Sequence, residues 1–248
     1  MAHERSNCLN SENSIAMNAP IVQSTDGVTL VGGGPVSQAE FRIATARAPR
    51  ILAADGGADR ALAAGYTPEA VVGDFDSISA HAQATLGPAR LFPIREQMTT
   101  DFDKALRSVA APFTLALGFT GARVDHGLAV FNSLVRHADR HCIVIGPRDV
   151  IFHAPPELTL ALKPGDRLSL FPMSPVTGRS SGLEWPIDGL DFAPAGVIGT
   201  SNRVTSAKVH LEMDSPGMLV ILPRARLDVA LRSLLGAAWQ PPAALPAR

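Results

Sequence analysis

Short apolar runs alternate with helix-like segments over the first part of the chain. The predicted strands cover residues 28–31, 51–54, 71–72, 91–94, 113–117 and 143–145. Helices are predicted after Ser37, which can cap a helix, before Gly65, and around residues 102–109. Apolar strands that alternate with helices are typical of βαβ units, so we predict a mostly parallel sheet with helices on both faces.

The pattern changes after about Asp149. Residues 168–172 and 207–213 alternate between the two faces of a strand, and residues 218–222 form a further apolar run. This pattern, with turn signals between the runs, predicts an all-β second domain that is a small sandwich or barrel. Residues 227–235 have leucines at helical spacing, which favours a helix used for core packing or a subunit contact.

These patterns predict an α/β fold in two domains with loose ends. The chain divides into a flexible tail, a parallel-sheet α/β domain, an all-β domain and a second tail, at residues 1–24, 25–148, 149–240 and 241–248.

Composition narrows the classes of function. The 248 residues are 46% hydrophobic, and 22 basic against 23 acidic side chains leave a formal net charge of -1. This balance argues against a dedicated binder of nucleic acid or of an anionic membrane, and no apolar run approaches the ~20 residues of a membrane span. Cys8 and Cys142 are too far apart in sequence to suggest a disulfide scaffold, and the first residues do not resemble a secretory signal. We therefore expect a cytoplasmic protein.

Acidic residues recur where the predicted parallel strands end. They are Asp55, Asp74, Asp76, Asp101 and Asp125. In extended chain, Asp74 and Asp76 would face the same side, and carboxylates gathered on one rim repel each other unless a cation lies between them. Carboxylate oxygens without cysteine suit Mg²⁺, which usually completes its coordination with water and substrate phosphates.

Each acidic residue taken singly has a simpler explanation. A lone aspartate after a strand is usually a turn former or a helix cap, and Asp103 is expected on a solvated helix face. The chain lacks GxxxxGK[ST], and its Gly32-Gly33-Gly34 run does not complete GxGxxG. Phosphate could still be bound by this glycine backbone and by the fork of Arg123. Arg123 could instead form an ion pair with Asp125.

Five short motifs then occur in the order seen in thiamine pyrophosphokinases. They are DGGADR, GDFDSI, QMTTDFDKAL, GARVDH and GTSN, which begin at residues 55, 73, 97, 121 and 199. The chain resembles this family from about residue 32 to residue 222. The resemblance implies a nucleotide-binding α/β domain before a β-sandwich, and a homodimer with its active site at the subunit contact. It also implies Mg²⁺-dependent transfer of the diphosphate of ATP to the hydroxyl of thiamine, which releases AMP.

The resemblance also implies roles for particular residues. Asp74, Asp76 and Asp101 correspond to metal and catalytic residues, and Asp125 belongs to the same catalytic set. The residues that correspond to ATP or phosphate binding are Gly33, Asp55, Gly56, Gly57 and Arg123. Those that correspond to substrate binding are Gln97, Ser201 and Asn202.

One departure from the family concerns the thiamine ring. Arg203 and Val204 follow Asn202, where many relatives carry a bulky aromatic side chain nearby. Stacking on thiamine would therefore need Trp185, Phe192 or a residue of a partner subunit. Three other functions stay open: diphosphate transfer to another hydroxylated acceptor, a sensor of thiamine or nucleotide without turnover, and metal-dependent hydrolysis.

Overall fold

A computed structural model describes residues 19–242. Cys8, most of the predicted N-terminal tail and residues 243–248 of the predicted C-terminal tail lie outside the described residues. Within residues 19–242, no helix is both long and apolar enough to cross a membrane.

Six α-helices occur in the described chain. They are α1 Gln38–Thr45, α2 Gly57–Ala63, α3 Ala80–Leu86, α4 Asp101–Arg107, α5 Val124–Arg136 and α6 Leu227–Leu235. Short 3₁₀ turns cover Pro88–Arg90 and Arg224–Arg226. Ser37 caps α1 as predicted, and its backbone N–H in turn donates to the Glu40 carboxylate, which completes a capping box.

Fifteen strands complete the described structure. They are β1 Val22–Gln23, β2 Val28–Val31, β3 Arg50–Ala54, β4 Ala70–Gly73, β5 Leu91–Pro93, β6 Val109–Ala110, β7 Thr114–Leu117, β8 Cys142–Ile145, β9 Asp149–His153, β10 Glu157–Leu160, β11 Arg167–Pro172, β12 Gly178–Ser181, β13 Gly199–Arg203, β14 Val209–Met213 and β15 Met218–Pro223.

Ten of these strands form one sheet, in the order β13-β11-β15-β9-β8-β7-β2-β3-β4-β5. The six neighbouring strands β8, β7, β2, β3, β4 and β5 pair in parallel, as predicted. The other four strands, β9, β15, β11 and β13, pair antiparallel with their neighbours, and β9 also pairs antiparallel with β8. A separate antiparallel sheet, β10-β14-β12, shares one hydrophobic core with the antiparallel part of the large sheet. The fold is therefore mixed α/β, with a β-sandwich arrangement after β8.

Helices cover both faces of the parallel strands. Phe41 of α1 and Ala61 of α2 belong to the core on one face, while Phe102 of α4 and Val130 of α5 belong to the core on the other. Strands β2, β4, β7 and β8 are buried along their whole length, because side chains on both of their faces meet a helix layer or the second sheet. Helix α6 packs into the main core through Leu227 and Leu231.

Two features differ from the expectation. Residues 22–23, assigned to the tail, form β1 and pair in parallel with β6, and Val22 is buried. Asp103 was expected on a solvated face, but it is only 1% exposed. Its Oδ1 lies 2.9 Å from His137 Nε2 and 3.3 Å from Arg136 Nη1, so an arginine of α5 and the histidine that follows this helix enclose the carboxylate.

The Asp103 cluster predicts a defined response to acid. Burial opposes ionisation of Asp103, but its contacts with His137, Arg136 and Arg107 outweigh burial and hold its pKa below the usual value. A carboxyl group with a depressed folded pKa stabilises the fold above its unfolded pKa of about 4, and this stabilisation is lost as the pH falls through the folded pKa. We expect Asp103→Asn to lower the free energy of unfolding by about 3 kcal/mol at pH 7.

Urea unfolding between pH 7 and pH 3 measures this effect. The difference between wild type and Asp103→Asn should shrink as the pH falls below about 4, and it should vanish below the folded pKa, where Asp103 is protonated in both states. Asp139→Asn, at an exposed position nearby, is the matched control and should behave as wild type. A difference that stays constant with pH would contradict the electrostatic role of Asp103.

Candidate active site

Three carboxylates converge beyond the carboxyl ends of neighbouring parallel strands. Asp55 follows β3, Asp74 follows β4, and Asp101 is the first residue of α4. One oxygen from each of the three lies within 4.8 Å of the others. Side chains at the carboxyl edge of a parallel sheet meet in this way because adjacent strands end side by side. We call this group the acidic triad.

Asp55 is the buried member of the acidic triad. Its side chain is 2% exposed, and its backbone has a left-handed φ of 45°. Its Oδ1 accepts a hydrogen bond from the backbone N–H of Ser77 at 3.2 Å, whereas its Oδ2 has no partner among residues 19–242. Burial and the charge of Asp101 raise the pKa of Asp55 to about 6. A buried oxygen without a partner, next to two further carboxylates, fits a bound cation.

The other two carboxylates are held by neighbouring side chains. Gln97 Nε2 donates to Asp74 Oδ2 at 3.2 Å, and this hydrogen bond is the main reason that the pKa of Asp74 is lowered. Lys104 Nζ lies 3.2 Å from Asp101 Oδ1, and the lysine side chain is 3% exposed. The buried ammonium group offsets part of the negative charge of the acidic triad.

A cleft of about 260 Å³ opens beside the acidic triad, and glycine backbone forms much of its wall. A Cβ at Gly33 would meet no atom of the described chain closer than 3.7 Å, so its missing side chain leaves space that a ligand can use. Gly57 differs, because a Cβ there would overlap the carbonyl oxygen of Val31. Gly57 therefore allows α2 to pack against β2, while Gly33 and Gly56 line the cleft.

Asp76 lies outside the acidic triad. The expectation that it would share a side with Asp74 assumed extended chain, but strand β4 ends at Gly73 and Phe75 has a φ of 67°. Asp76 Oδ1 instead accepts a hydrogen bond from Ser77 Oγ at 2.7 Å. Its charge still contributes to the raised pKa of Asp55.

Arg123 and Asp125 form an ion pair at the mouth of the cleft. Arg123 Nη2 lies 2.5 Å from Asp125 Oδ2, and both side chains are mostly exposed. This hydrogen bond lowers the pKa of Asp125 to about 2. Asp125 lies in the first turn of α5 and is not part of the acidic triad, while Arg123 lines the same cleft as Asp55 and Asp101.

Ser201 and Asn202 lie at the opposite edge of the large sheet, on β13. Ser201 has a φ of 60° and is exposed. The Asn202 side chain is buried: its Oδ1 accepts from the backbone N–H of Trp185 at 3.2 Å, and its Nδ2 donates to the Trp185 carbonyl at 2.6 Å. Asn202 therefore fixes the backbone that presents Trp185, whose side chain is 57% exposed.

Reasoning from the sequence missed two residues that shape this site. Lys104 is three residues after Asp101, and this helical spacing could have indicated an ion pair. Ser77, which donates to Asp55 from a loop, gave no comparable signal, because the contact depends on a turn whose backbone angles the sequence pattern does not specify.

A mixed α/β sheet with an acidic, glycine-lined cleft beyond its carboxyl edge is typical of enzymes that bind phosphorylated substrates with a divalent metal ion. Two family models identify the family of mixed α/β enzymes to which the chain is similar. Residues 41–145 match the catalytic domain of thiamin pyrophosphokinase, and residues 153–218 match its vitamin B1 binding domain. Together the two models cover more than half of the chain, which belongs to the thiamin pyrophosphokinase family.

Individual relatives agree with the family models. Thiamine pyrophosphokinase 1 of Arabidopsis thaliana is 27% identical over an alignment of 199 residues, and the match covers 66% of this chain and 74% of the relative. Thiamine pyrophosphokinase 1 of Oryza sativa subsp. japonica is 27% identical over an alignment of 169 residues, and the match covers 60% of this chain and 64% of the relative.

Solved structures show the same fold. Thiamin pyrophosphokinase from Candida albicans superposes with a TM-score of 0.66 at 18% identity, covering 83% of this chain and 93% of that one. Thiamin pyrophosphokinase from Geobacillus thermodenitrificans gives 0.65 at 23% identity, covering 79% and 96%.

In the absence of a metal ion, removing one carboxylate charge from the acidic triad should stabilise the protein. A carboxyl group with a raised folded pKa binds its proton more tightly in the folded than in the unfolded state, so stability falls as the pH rises from about 4 to 6. Asp55→Asn removes this effect, and asparagine also tolerates the left-handed φ. We expect the variant to unfold at a higher temperature than wild type at pH 7.5 in EDTA.

Differential scanning calorimetry with and without Mg²⁺ checks this prediction. Wild type should gain stability on addition of Mg²⁺, and Asp55→Asn should gain much less. Asp26→Asn, at an exposed position, is the control and should respond as wild type. If Asp55→Asn is less stable than wild type in EDTA, the charge of Asp55 does not destabilise the metal-free protein and the prediction is wrong.

Proposed function

We propose that this protein transfers the diphosphate of ATP to the hydroxyl of thiamine, giving thiamine diphosphate and AMP. The two domain matches, in order along one chain, are the observation that carries this proposal. The acidic triad in a glycine-lined cleft supplies the chemistry that such a transfer requires. We also propose that the protein acts in the cytoplasm, which its cysteine usage favours.

We assign a Mg²⁺ site to the acidic triad, with Asp76 close to it. The unpartnered Asp55 Oδ2 and the three convergent carboxylates fit a hard, oxygen-bound cation. When bound, Mg²⁺ would neutralise charge on the phosphates and help to orient them. Gln97 would hold Asp74 in position through the hydrogen bond described above.

The glycine-lined wall and Arg123 would bind the phosphates. Gly33 and Gly56 leave backbone open to the cleft, and the exposed guanidinium of Arg123 presents a fork that suits phosphate oxygens. Asp125 would hold that fork at the mouth of the cleft. With a pKa of about 2, Asp125 is a weak base, so the acceptor of the hydroxyl proton should be sought in the acidic triad.

Trp185 is the best candidate for stacking on thiamine. Phe192 is fully buried and therefore cannot offer a ring face to a ligand, whereas Trp185 is exposed. The Arg203 guanidinium lies 5.9 Å from the Trp185 ring centroid, and Glu184 neutralises this arginine. The remaining surface of the indole can contact the flat, cationic thiamine. Asn202 would act by holding Trp185, and Ser201 would contact substrate from its exposed position on β13.

The position of β13 favours an active site shared between two subunits. Seven strand spacings separate β13 from β3 in the sheet, which is about 34 Å at the usual distance between strands. One subunit cannot bring Trp185 to its own acidic triad across that distance. We therefore propose a homodimer in which the cleft of one subunit faces the β13 edge of its partner.

Exposed apolar side chains are found near both surfaces. Met98, Val124 and Leu128 flank the cleft side, and Trp185, Leu190, Val197 and Ile198 lie in the sandwich half. A two-fold axis would place the cleft-side set of each subunit against the sandwich set of its partner. The dimer would then bury both sets in two equivalent contacts.

The metal assignment predicts the effect of Asp74→Asn. The substitution removes one charge at a partly exposed position, so the fold should survive while AMP formation falls by roughly 10² or more. A coupled assay of AMP with ATP, Mg²⁺ and thiamine measures this, with Asp26→Asn as the control. Wild-type activity in Asp74→Asn would contradict the assignment.

The alternative functions have tests of their own. Replacing thiamine by a panel of primary alcohols tests transfer to another acceptor. Binding of thiamine or nucleotide without AMP release would indicate a sensor.

The shared site predicts that two inactive variants restore activity when mixed. Asp74→Asn damages the cleft and Trp185→Ala damages the opposite edge, so a mixed dimer contains one intact site and one doubly damaged site. Random exchange of subunits should give about a quarter of wild-type activity. No recovery after verified exchange would refute the shared site, and full activity of Trp185→Ala alone would refute the stacking role.

A further inference from the structure

A second cavity, of about 510 Å³, lies at the edge of the sheet next to β5. Its apolar wall includes Ile21, Phe92 and Ile94. Its polar wall consists of three arginines together with other polar side chains, among them Arg107, Arg136, Arg140, Asp103, His137 and Asp139. Its volume is in the range of sites that bind small organic ligands.

This cavity is distinct from the candidate active site. None of its lining residues also lines the cleft beside the acidic triad. Helix α4 separates the two: Asp101 and Phe102 face the cleft, whereas Asp103 and Arg107 face the second cavity.

The arginines of the second cavity are anchored but retain free donors. Arg140 Nη1 donates to the carbonyl oxygens of Leu106 at 3.2 Å and Val109 at 2.7 Å, and Arg140 forms no ion pair with any residue in the described range. Arg136 uses Nη1 on Asp103 and is partly exposed. Both guanidinium groups are thus fixed by one nitrogen, which leaves the others for a ligand.

Arg107 differs from Arg140 in two ways, in its ion pairing and in the bonding of its Nε. Its Nη2 pairs with Glu96, so its charge is neutralised within the protein. Its Nε is buried and has no hydrogen-bond partner among residues 19–242. The unneutralised cation in this cavity is therefore Arg140, with Arg136 beside it on the same wall.

We propose that the second cavity binds a small organic carboxylate with an apolar body. The carboxylate would bind to the free nitrogens of Arg140 and Arg136, because a guanidinium fork matches the two oxygens of a carboxylate. The apolar body would lie against Phe92 and Ile94, removing that wall from water. An aryl carboxylate satisfies both halves of the cavity.

Phenylacetate is a suitable probe, with phenylacetamide as its neutral counterpart of the same shape. Binding to the full chain is measured by ligand-observed NMR titration. We expect phenylacetate to bind, and phenylacetamide to bind at least about tenfold more weakly, because a hydrogen bond to a charged group is worth more than one to a neutral group. Equal binding of the acid and the amide would overturn the proposal, as would no binding of the acid at about 10 mM.

Two variants locate the probe. Arg140→Met removes the unneutralised cation and Arg136→Gln removes the neighbouring fork, so each should weaken phenylacetate binding by about tenfold. Arg179→Gln, a largely exposed arginine on β12, is the matched control and should bind as wild type. If Arg140→Met proves unstable, Arg136→Gln still decides the question, because Asp103 keeps His137 and Arg107 as partners. Unchanged binding in Arg136→Gln would overturn the proposal.

Discussion

The mutual repulsion of Asp55, Asp74 and Asp101 is the constraint around which the rest of the site is arranged. The parallel sheet produces it, because adjacent strands end side by side and α4 begins at the same edge. Lys104 and Gln97 offset part of the repulsion, but one oxygen of Asp55 stays buried without a partner. The fold thus gathers negative charge in a geometry that fits a bound cation.

The sequence specified the parallel strands well because their signal is local. An apolar run of four residues that ends at glycine or aspartate needs no knowledge of distant contacts, and the acidic residues after such runs were found in the same way. The position of the Asp76 side chain could not be predicted from such a local pattern, since it depends on the left-handed backbone of Phe75. Asp103 was misjudged because its partners, Arg136 and His137, are more than thirty residues away and cannot be inferred from helical spacing.

The sandwich half shows the same limit. GTSN indicates a turn by itself, and its resemblance to a family motif suggested direct contact with substrate. The amide of Asn202 is bonded to the backbone of Trp185, a residue seventeen positions earlier in another loop, and this contact could not be predicted from the motif. The sequence identifies Trp185 and Phe192 as candidate rings for stacking. Only the structure shows that the indole of Trp185 is exposed and the ring of Phe192 is buried.

The pairing of β8 with β9 joins the two halves through backbone hydrogen bonds rather than through a linker. Hinge bending between the halves would have to break that ladder, so the edge that carries the acidic triad and the β13 edge keep a fixed separation. Cutting the chain between them would leave two unpaired strand edges, each prone to self-association. Evolution or engineering can therefore exchange loops at either edge, but the halves do not form interchangeable modules.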